Sequence, residues 1–320
     1  MEPPTKRFRQ EEKELCQQTI SWYDLPFEMR ILVIDEMDLD TMCRFSMCSK
    51  LCKEEVVNSK NYCNDLELKE GSKCYGLYFS LRSHKDPLQC LVFESSKGVT
   101  NIRCESGPKK LLWCKVENGN LIDVIIKYTN KYLQHFRDTL KRFSMDVTNA
   151  AAKSKLIKGI RVRNMNNLEC LDVRASRKQI CLLKHGFVDF EQIMSVTGYL
   201  AIPATKLSFD QLIQLKAKSI EIYLMDFKPK ELSKFVNYWS LGKLHPDFKK
   251  LTIRAEFNET FAKKRVMFEY GDLEYEELDV TWSRQTVNIM GECDRTEGLF
   301  AECTIYDKGM LAEITVDFCG

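Results

Sequence analysis

Leu25-Pro26-Phe27-Glu28-Met29-Arg30, continued through Val33-Ile34, Met37 and Phe45 to Cys48-Ser49-Lys50, is the stretch on which the reading of this chain turns. The ring of Pro26 fixes φ at a helical value, and the residue has no N–H to leave unpaired, so it can open a helix without losing an internal bond. Asp24 and Ser21 stand where a cap is needed. Beyond the proline, Met29, Leu32 or Val33, and Met37 recur at helical spacing while Arg30, Asp35 and Glu36 are charged. That spacing predicts an amphipathic helix with one side to bury. A second short helix is expected from Asp38 or Asp40, carrying Met42 and Phe45, and a third from about Ser49 through Val56. Three short helices in about forty residues do not make a sufficient core. Part of their apolar surface must lie against the rest of the chain or against a partner, so the segment reads as a protein-docking module and not as a catalytic site.

On the N-terminal side, Lys6-Arg7-Phe8-Arg9 follows a proline pair and predicts a disordered arm before a charged helix from about Gln10 to Gln18. A basic cluster of this kind can serve nuclear import or nucleic-acid contact, but a solvated terminus is its commoner role. On the C-terminal side the texture changes. Cys74 to Phe79, Leu88 to Phe93, Val99 to Cys104 and Leu111 to Val116 are short apolar or alternating runs split by Gly, Pro, Asn and Ser, and they read as strands. Asn118-Gly119 marks a turn, after which Leu121, Val124, Ile125, Tyr128, Tyr132, Leu133 and Phe136 supply a helical face.

Strands are next expected at Leu168 to Val173, Ser219 to Leu224 and Lys250 to Arg254, with helical runs Phe209 to Lys216 and Lys230 to Trp239 before the latter two. The two later strands lie about thirty residues apart, a separation that fits irregular leucine-rich-like strand–helix units and equally an ordinary α/β segment. Ala301 to Tyr306 and Met310 to Phe318 alternate and are joined by Asp307-Lys308-Gly309, which predicts a terminal hairpin. The expected fold class is α+β: a small helical module followed by a larger α/β domain with β-rich ends. Its boundaries are residues 1–20 for the arm and charged helix, 21–60 for the docking helices and 61–320 for the remainder.

Composition excludes several functional classes. With 320 residues and 44% hydrophobic content the chain can bury a large core, and a net charge of +2 with mixed signs argues for neither nucleic acid nor an anionic membrane. The expected partners therefore include no nucleic acid and no membrane, since no secretory leader and no apolar run of spanning length is found. Fourteen cysteines sit mostly in apolar surroundings, as at Cys90-Leu91-Val92, Trp113-Cys114 and Ile180-Cys181-Leu182, where a reduced thiol acts as a small hydrophobe. Cys43, Cys48 and Cys52 come closest to a metal cluster, but their spacing is wrong for zinc, so neither metal nor cofactor is expected. The four histidines are scattered singly. Phosphate-loop, dinucleotide, nucleophile-elbow and zinc-protease motifs are all missing. Glu274-Tyr275-Glu276-Glu277 reads as a solvated acidic loop and not as an acid–base pair. An enzyme with a cysteine nucleophile beside a histidine is the second reading, and an interaction scaffold outside any ligase is the third.

The helical stretch resembles the F-box family. Leu25, Pro26, Glu28, Met29, Val33, Ile34, Met37, Phe45, Cys48, Ser49 and Lys50 fill that family's places, and Cys52 stands where it often has Trp. The resemblance implies an adaptor-binding surface at Leu25, Pro26, Glu28, Met29, Val33, Ile34, Met37, Phe45, Cys48 and Lys50. The partner would be a Skp-type adaptor and, through it, a cullin. The remainder resembles the F-box-associated region of the large nematode families of F-box proteins. That likeness rests on Phe227-Lys228-Pro229-Lys230-Glu231-Leu232-Ser233-Lys234-Phe235-Val236-Asn237-Tyr238-Trp239, on Pro246 to Ile253, and on Arg295 to Ala301. It implies a non-catalytic subunit of the cytoplasm or nucleus that holds an unidentified protein target for ubiquitination. Leu232, Phe235, Val236 and Trp239 form one helical stripe whose expected role is core packing.

Overall fold

The computed structural model describes residues 21–37, 39–46, 48–59, 63–81, 89–106, 109–117, 119–162, 165–175, 190–204, 208–224, 229–256, 275–280, 284–290, 300–307 and 311–319. The expected N-terminal arm and charged helix, the Cys181 segment, Glu274 and most of the run from Arg295 lie outside these residues, as does the turn from Lys308 to Met310. The N-terminal helices and the strands from Cys63 onward fall into two compact units. The fold class is α+β, as the sequence led us to expect.

The first unit holds α1 (Phe27–Asp35), α2 (Leu39–Ser46) and α3 (Lys50–Asn58). Ser21 and Asp24 do not cap α1. They close a short 3-10 turn at Trp22–Asp24, where the Ser21 N–H donates to Asp24 Oδ2 at 3.2 Å. Pro26 itself stands at the N-cap of α1, and its carbonyl accepts the N–H of Arg30 at 3.1 Å. Ser49 caps α3 by accepting the Cys52 N–H at 3.0 Å. The small core consists of Ile34, Met42, Cys52 and Val56, all buried. A second correction follows from that core. The expected buried stripe of Met29, Leu32 and Val33 faces outward, because Ile34 and Arg30, one turn apart on the opposite side, hold α1 against α3. Arg30 Nε lies 2.8 Å from Glu55 Oε1, and Trp22 Nε1–H donates to Glu55 Oε2 at 3.0 Å. Glu55, at 1% exposure, thus has both oxygens engaged. Arg30 also donates from Nη1 to the Leu25 carbonyl at 2.8 Å, which fixes the entry to α1.

The second unit opens with an antiparallel meander of β1 (Cys63–Glu70), β2 (Cys74–Leu81), β3 (Gln89–Ser96), β4 (Val99–Ser106) and β5 (Lys109–Glu117). The helix α4 (Leu121–His135) then returns the chain to β6 (Arg142–Asp146), which pairs parallel with β1. The chain continues through α5 (Ala150–Gly159), β7 (Cys170–Asp172), β8 (Tyr199–Ala204), α6 (Phe209–Leu212), β9 (Ser219–Leu224), α7 (Pro229–Ser240) and β10 (Lys250–Glu256), each strand parallel to its predecessor. Finally β11 (Tyr275–Val280), β12 (Arg284–Met290), β13 (Phe300–Asp307) and β14 (Leu311–Cys319) form an antiparallel set whose last strand lies against β10. All fourteen strands among the described residues belong to one sheet, with β5 and β11 at its ends.

Register explains why this sheet has two unlike faces. Leu66, Phe143, Leu171, Leu200, Ile220 and Leu251 align across six neighbouring strands and are all buried. One residue earlier in each strand, Asp65, Arg142, Cys170, Tyr199, Ser219 and Lys250 align on the other face. The strict period of two separates an apolar face from a polar one. On the apolar side Tyr132 of α4 meets Phe79 edge-on at 4.8 Å, and Phe235 of α7 meets Phe248 at 5.5 Å. Phe235 and Trp239 are buried, consistent with the packing stripe read from the sequence. The end of α7 is fixed by Gly242, whose φ of 64° lets its N–H reach the Trp239 carbonyl while that of Lys243 reaches Tyr238.

Elsewhere the structure revises the sequence reading. The helix expected over Phe209 to Lys216 stops at Leu212, and the strand at Leu168 to Val173 shortens to Cys170–Asp172. Tyr275, Glu276 and Glu277 are not in a loop. They lie in β11 and pair with Ile289, Asn288 and Val287 of β12. Besides β11, the strands β1, β6, β8 and β12 and the helix α5 were not anticipated. Of these, α5 has the plainest cause, because Asn149 accepts the Ala152 N–H at 3.0 Å ahead of an alanine run.

Candidate interaction surfaces

Among the residues whose side-chain burial is described, apolar exposure is concentrated in the helical unit. Met29 is 48% exposed, Leu32 57% and Val33 41%, and Tyr23, Phe27 and Leu51 are exposed as well. Among the residues whose side-chain burial is described, only Leu241 outside this unit is a large hydrophobe left comparably open. Burying the remaining half of such side chains against a partner is worth about 0.7–1.5 kcal/mol each, which makes the surface a docking candidate on energetic grounds. The residues singled out in the sequence divide three ways. Pro26, Glu28, Met29, Val33, Cys48 and Lys50 are exposed, Leu25, Met37 and Phe45 are half-buried, and Ile34 is fully buried. Ile34 therefore supports the surface from beneath and is not open to a partner. Phe45 is held edge-on by Trp22 at 4.9 Å. The sequence reading passed over Tyr23, Phe27 and Leu51, although the near-continuous apolar run from Phe27 to Ile34 signals a helix with too little polar surface to hide all its side chains.

A second surface lies on the polar face of the sheet. A groove of about 870 Å³ crosses the strands from β2 to the start of β10, and its lining comes from alternate, outward-pointing positions. Toward β1 and β7 the acids Asp65, Glu67, Glu169 and Asp172 outnumber the two arginines Arg142 and Arg174, while Lys218 and Lys249 lie at the β9 and β10 end. Tyr78 and Tyr199 add flat amphipathic surface. Gly198, at the groove floor, allows the β7 and β8 strand starts to approach closely. A Cβ there would lie 2.6 Å from the Glu169 carbonyl oxygen, and the Gly198 N–H donates to that carbonyl at 2.9 Å.

Electrostatics beside the groove are built around Glu221. Tyr199 Oη donates to its Oε2 at 2.7 Å, Tyr223 Oη donates to its Oε1 at 2.6 Å, and Arg254 Nη1 lies 3.0 Å from Oε1. Burial works to raise the Glu221 carboxyl, but the two phenol hydrogen bonds and the charges of Arg254 and Arg174 hold it below the usual carboxylate range. For Tyr199 and Tyr223, burial comes first and the Glu221 hydrogen bond second, and both push the phenols well up. Burial also pushes the Asp172 carboxyl up against the opposing charge of Arg174, 3.1 Å away. At Cys170 burial pushes the thiol up while Arg142 opposes it, so the thiolate is disfavoured. No cluster of three metal-binding side chains occurs among the described residues, and no described helix is long and apolar enough to cross a membrane.

The strands β8, β9 and the start of β10, with α6 and α7 between them, form a parallel strand–helix series that supplies Tyr199, Lys218 and Lys249 to the groove. This series coincides with a recognised sequence family. Residues 189–253 match the family described as F-box associated. The match supports an F-box-associated domain in this chain, and it covers the helix-to-Trp239 segment and the strand after it. No curated protein and no solved structure matches the chain. An F-box-associated domain points in general to protein–protein interaction and to a substrate-recognition role.

Proposed function

We propose that this chain is a substrate-receptor subunit of a Skp/cullin/F-box ubiquitin ligase. The exposed apolar side chains of α1 carry the reading: Met29, Leu32 and Val33 are presented to a partner while Ile34, Arg30 and Glu55 hold the helix in place. The F-box-associated match downstream supports it, because that domain and an adaptor-docking helix bundle serve one task. The helices would bind the adaptor and the sheet unit would hold a protein target, raising the local concentration of target lysines at the ligase without bond chemistry by this chain. The alternative of a cysteine enzyme finds no support at Cys170, whose thiol is pushed up and whose groove has no histidine among its described lining residues.

Replacing Met29 and Val33 together by glutamate tests the docking surface. Both side chains are exposed, so the circular dichroism spectrum should not change, while recovery of a purified Skp-type adaptor in pull-down should fall at least about tenfold. Undiminished recovery would count against the assignment. We also place the protein in the cytoplasm or nucleus, where its cysteines remain thiols. Alkylation in denaturant without reductant should then modify most of the fourteen cysteines, and disulfide-linked peptides would overturn that placement.

A further inference from the structure

We infer that the groove on the polar face of the sheet is the target site, and that it takes a polypeptide segment with a basic end and an acidic end lying across the strands. The inference rests on the receptor reading above and adds the location and chemistry of the target. Three observations support it. The groove is the right size for a recognition cleft, about 870 Å³, and it is lined by residues of six strands, β1, β2, β6, β7, β8 and β9, and by Lys249 just ahead of β10, so a ligand there would be read by a rigid scaffold. Its lining charge is unevenly spread along the sheet: toward β1 and β7 Asp65, Glu67, Glu169 and Asp172 outnumber Arg142 and Arg174, whereas Lys218 and Lys249 are the charged lining residues at the β9 and β10 end. Between the two poles Tyr199 presents a phenol ring whose orientation is fixed by its bond to Glu221 at 2.7 Å.

Charge complementarity selects the occupant. A segment with lysine or arginine over β1 and β7 and aspartate or glutamate over β9 and β10 is attracted at both ends, whereas a uniformly charged segment is repelled at one of them. A nucleic acid strand would set phosphates against Asp65, Glu67 and Asp172 and is disfavoured for the same reason. Neighbouring strands are about 4.8 Å apart, so the five steps from β1 to β10 span roughly 24 Å, a distance that about seven extended residues cover. The ion pairs that screen these poles are exposed in Lys218 with Asp247 at 3.2 Å and Arg142 with Asp65 at 3.6 Å and half-buried in Arg174 with Asp172 at 3.1 Å, and the exposed ones contribute little that a ligand would have to replace.

Fluorescein-labelled synthetic peptides on the full-length chain provide the test. One peptide carries three lysines and three glutamates at opposite ends of a neutral tyrosine-containing spacer, and a second has the same composition with the charges alternating. The segregated peptide should bind at least about tenfold tighter, a difference of about 1.4 kcal/mol. The double variant Lys218→Glu with Lys249→Glu should abolish that preference while leaving adaptor pull-down intact. Equal binding of the two peptides, no binding at about 1 mM, or an unchanged preference in the variant would overturn the proposal. Tighter binding of oligouridylate than of either peptide would overturn it in favour of nucleic acid. Adaptor recovery is read on the helical unit, so failure of the groove and failure of the receptor reading give different results.

Discussion

Glu55 shows how much of the helical unit depends on one side chain. It is buried, yet it carries a charge, and it is compensated by the Arg30 guanidinium at 2.8 Å and the Trp22 indole N–H at 3.0 Å. Glu55→Ala would leave Arg30 without its partner and Trp22 without an acceptor, so a loss of about 3–5 kcal/mol is expected, enough to unfold a unit with so small a core. Hydrogen–deuterium exchange of the α1 and α3 peptides across a denaturant series would read it. The double replacement Arg30→Met with Glu55→Leu should recover most of that loss, because it removes both charges together. If the single and double variants lose the same stability, the ion pair is not the cause. None of this pairing was legible in the sequence, where Arg30 and Glu55 stand far apart and Arg30 reads as one more charge on a solvated face. Pro26, Ser49 and the helix at Met29 were legible because their signals are local. Which side of α1 would be buried was not, since apolar residues occupy both.

At the scale of the elements, three neighbouring strands are joined on their polar face by Tyr199 of β8, Glu221 and Tyr223 of β9, and Arg254 of β10. The folded chain holds the Glu221 carboxyl below its unfolded value, so its contribution to stability is present above the unfolded carboxylate range and is lost as pH falls through the folded one. Glu221→Gln should therefore be less stable than the parent at about pH 7 and should approach it at about pH 3. Thermal melts at the two pH values check this, and a gap that persists in acid would show that shape and not charge is responsible. Strands β9 and β10 were legible because in each an apolar residue, Ile220, Ile222 and Leu224 or Leu251, Ile253 and Ala255, alternates with a polar one. Strand β11 was not. Its sequence Tyr-Glu-Glu-Leu-Asp-Val is rich in carboxylates, and only pairing with β12 makes it a strand. The same holds for β1, whose Leu66 and Leu68 alternate with charges and gain meaning only beside β6.

The whole chain divides at about Cys63 into the helical unit and the sheet unit. If the division of labour is as proposed, a fragment of residues 63–320 should fold by itself, melt cooperatively and retain target binding while failing to recover the adaptor. Expressed beside the intact protein it should slow target ubiquitination by occupying the target without linking it to the ligase. A fragment that binds no target would place part of the target site in the N-terminal helices. A second α/β unit with β-rich ends was visible in the sequence, and so were the strands at Cys170, Ser219 and Lys250, but β6 and β8, which complete a series whose starts from Arg142 to Lys250 recur every 20–31 residues, were not. The union of all strands into one sheet was not, because β1 pairs with β6 and β10 with β14 across long stretches of chain, and such partners leave no local mark.

The pairing of β1 with β6 has a consequence for synthesis. The meander from β1 to β5 can close as soon as it leaves the ribosome, but its β1 edge has no neighbour until Asp146 emerges, 76 residues after Glu70. At about 5–20 residues per second that interval is roughly 4–15 s, long compared with the microseconds in which a hairpin forms. Throughout it, a row of unpaired N–H and C=O groups beside Leu66 and Leu68 stands open to any other nascent strand. The newborn chain is therefore vulnerable at an edge that the finished protein no longer possesses, and its yield in cells depends on what shelters β1 during those seconds.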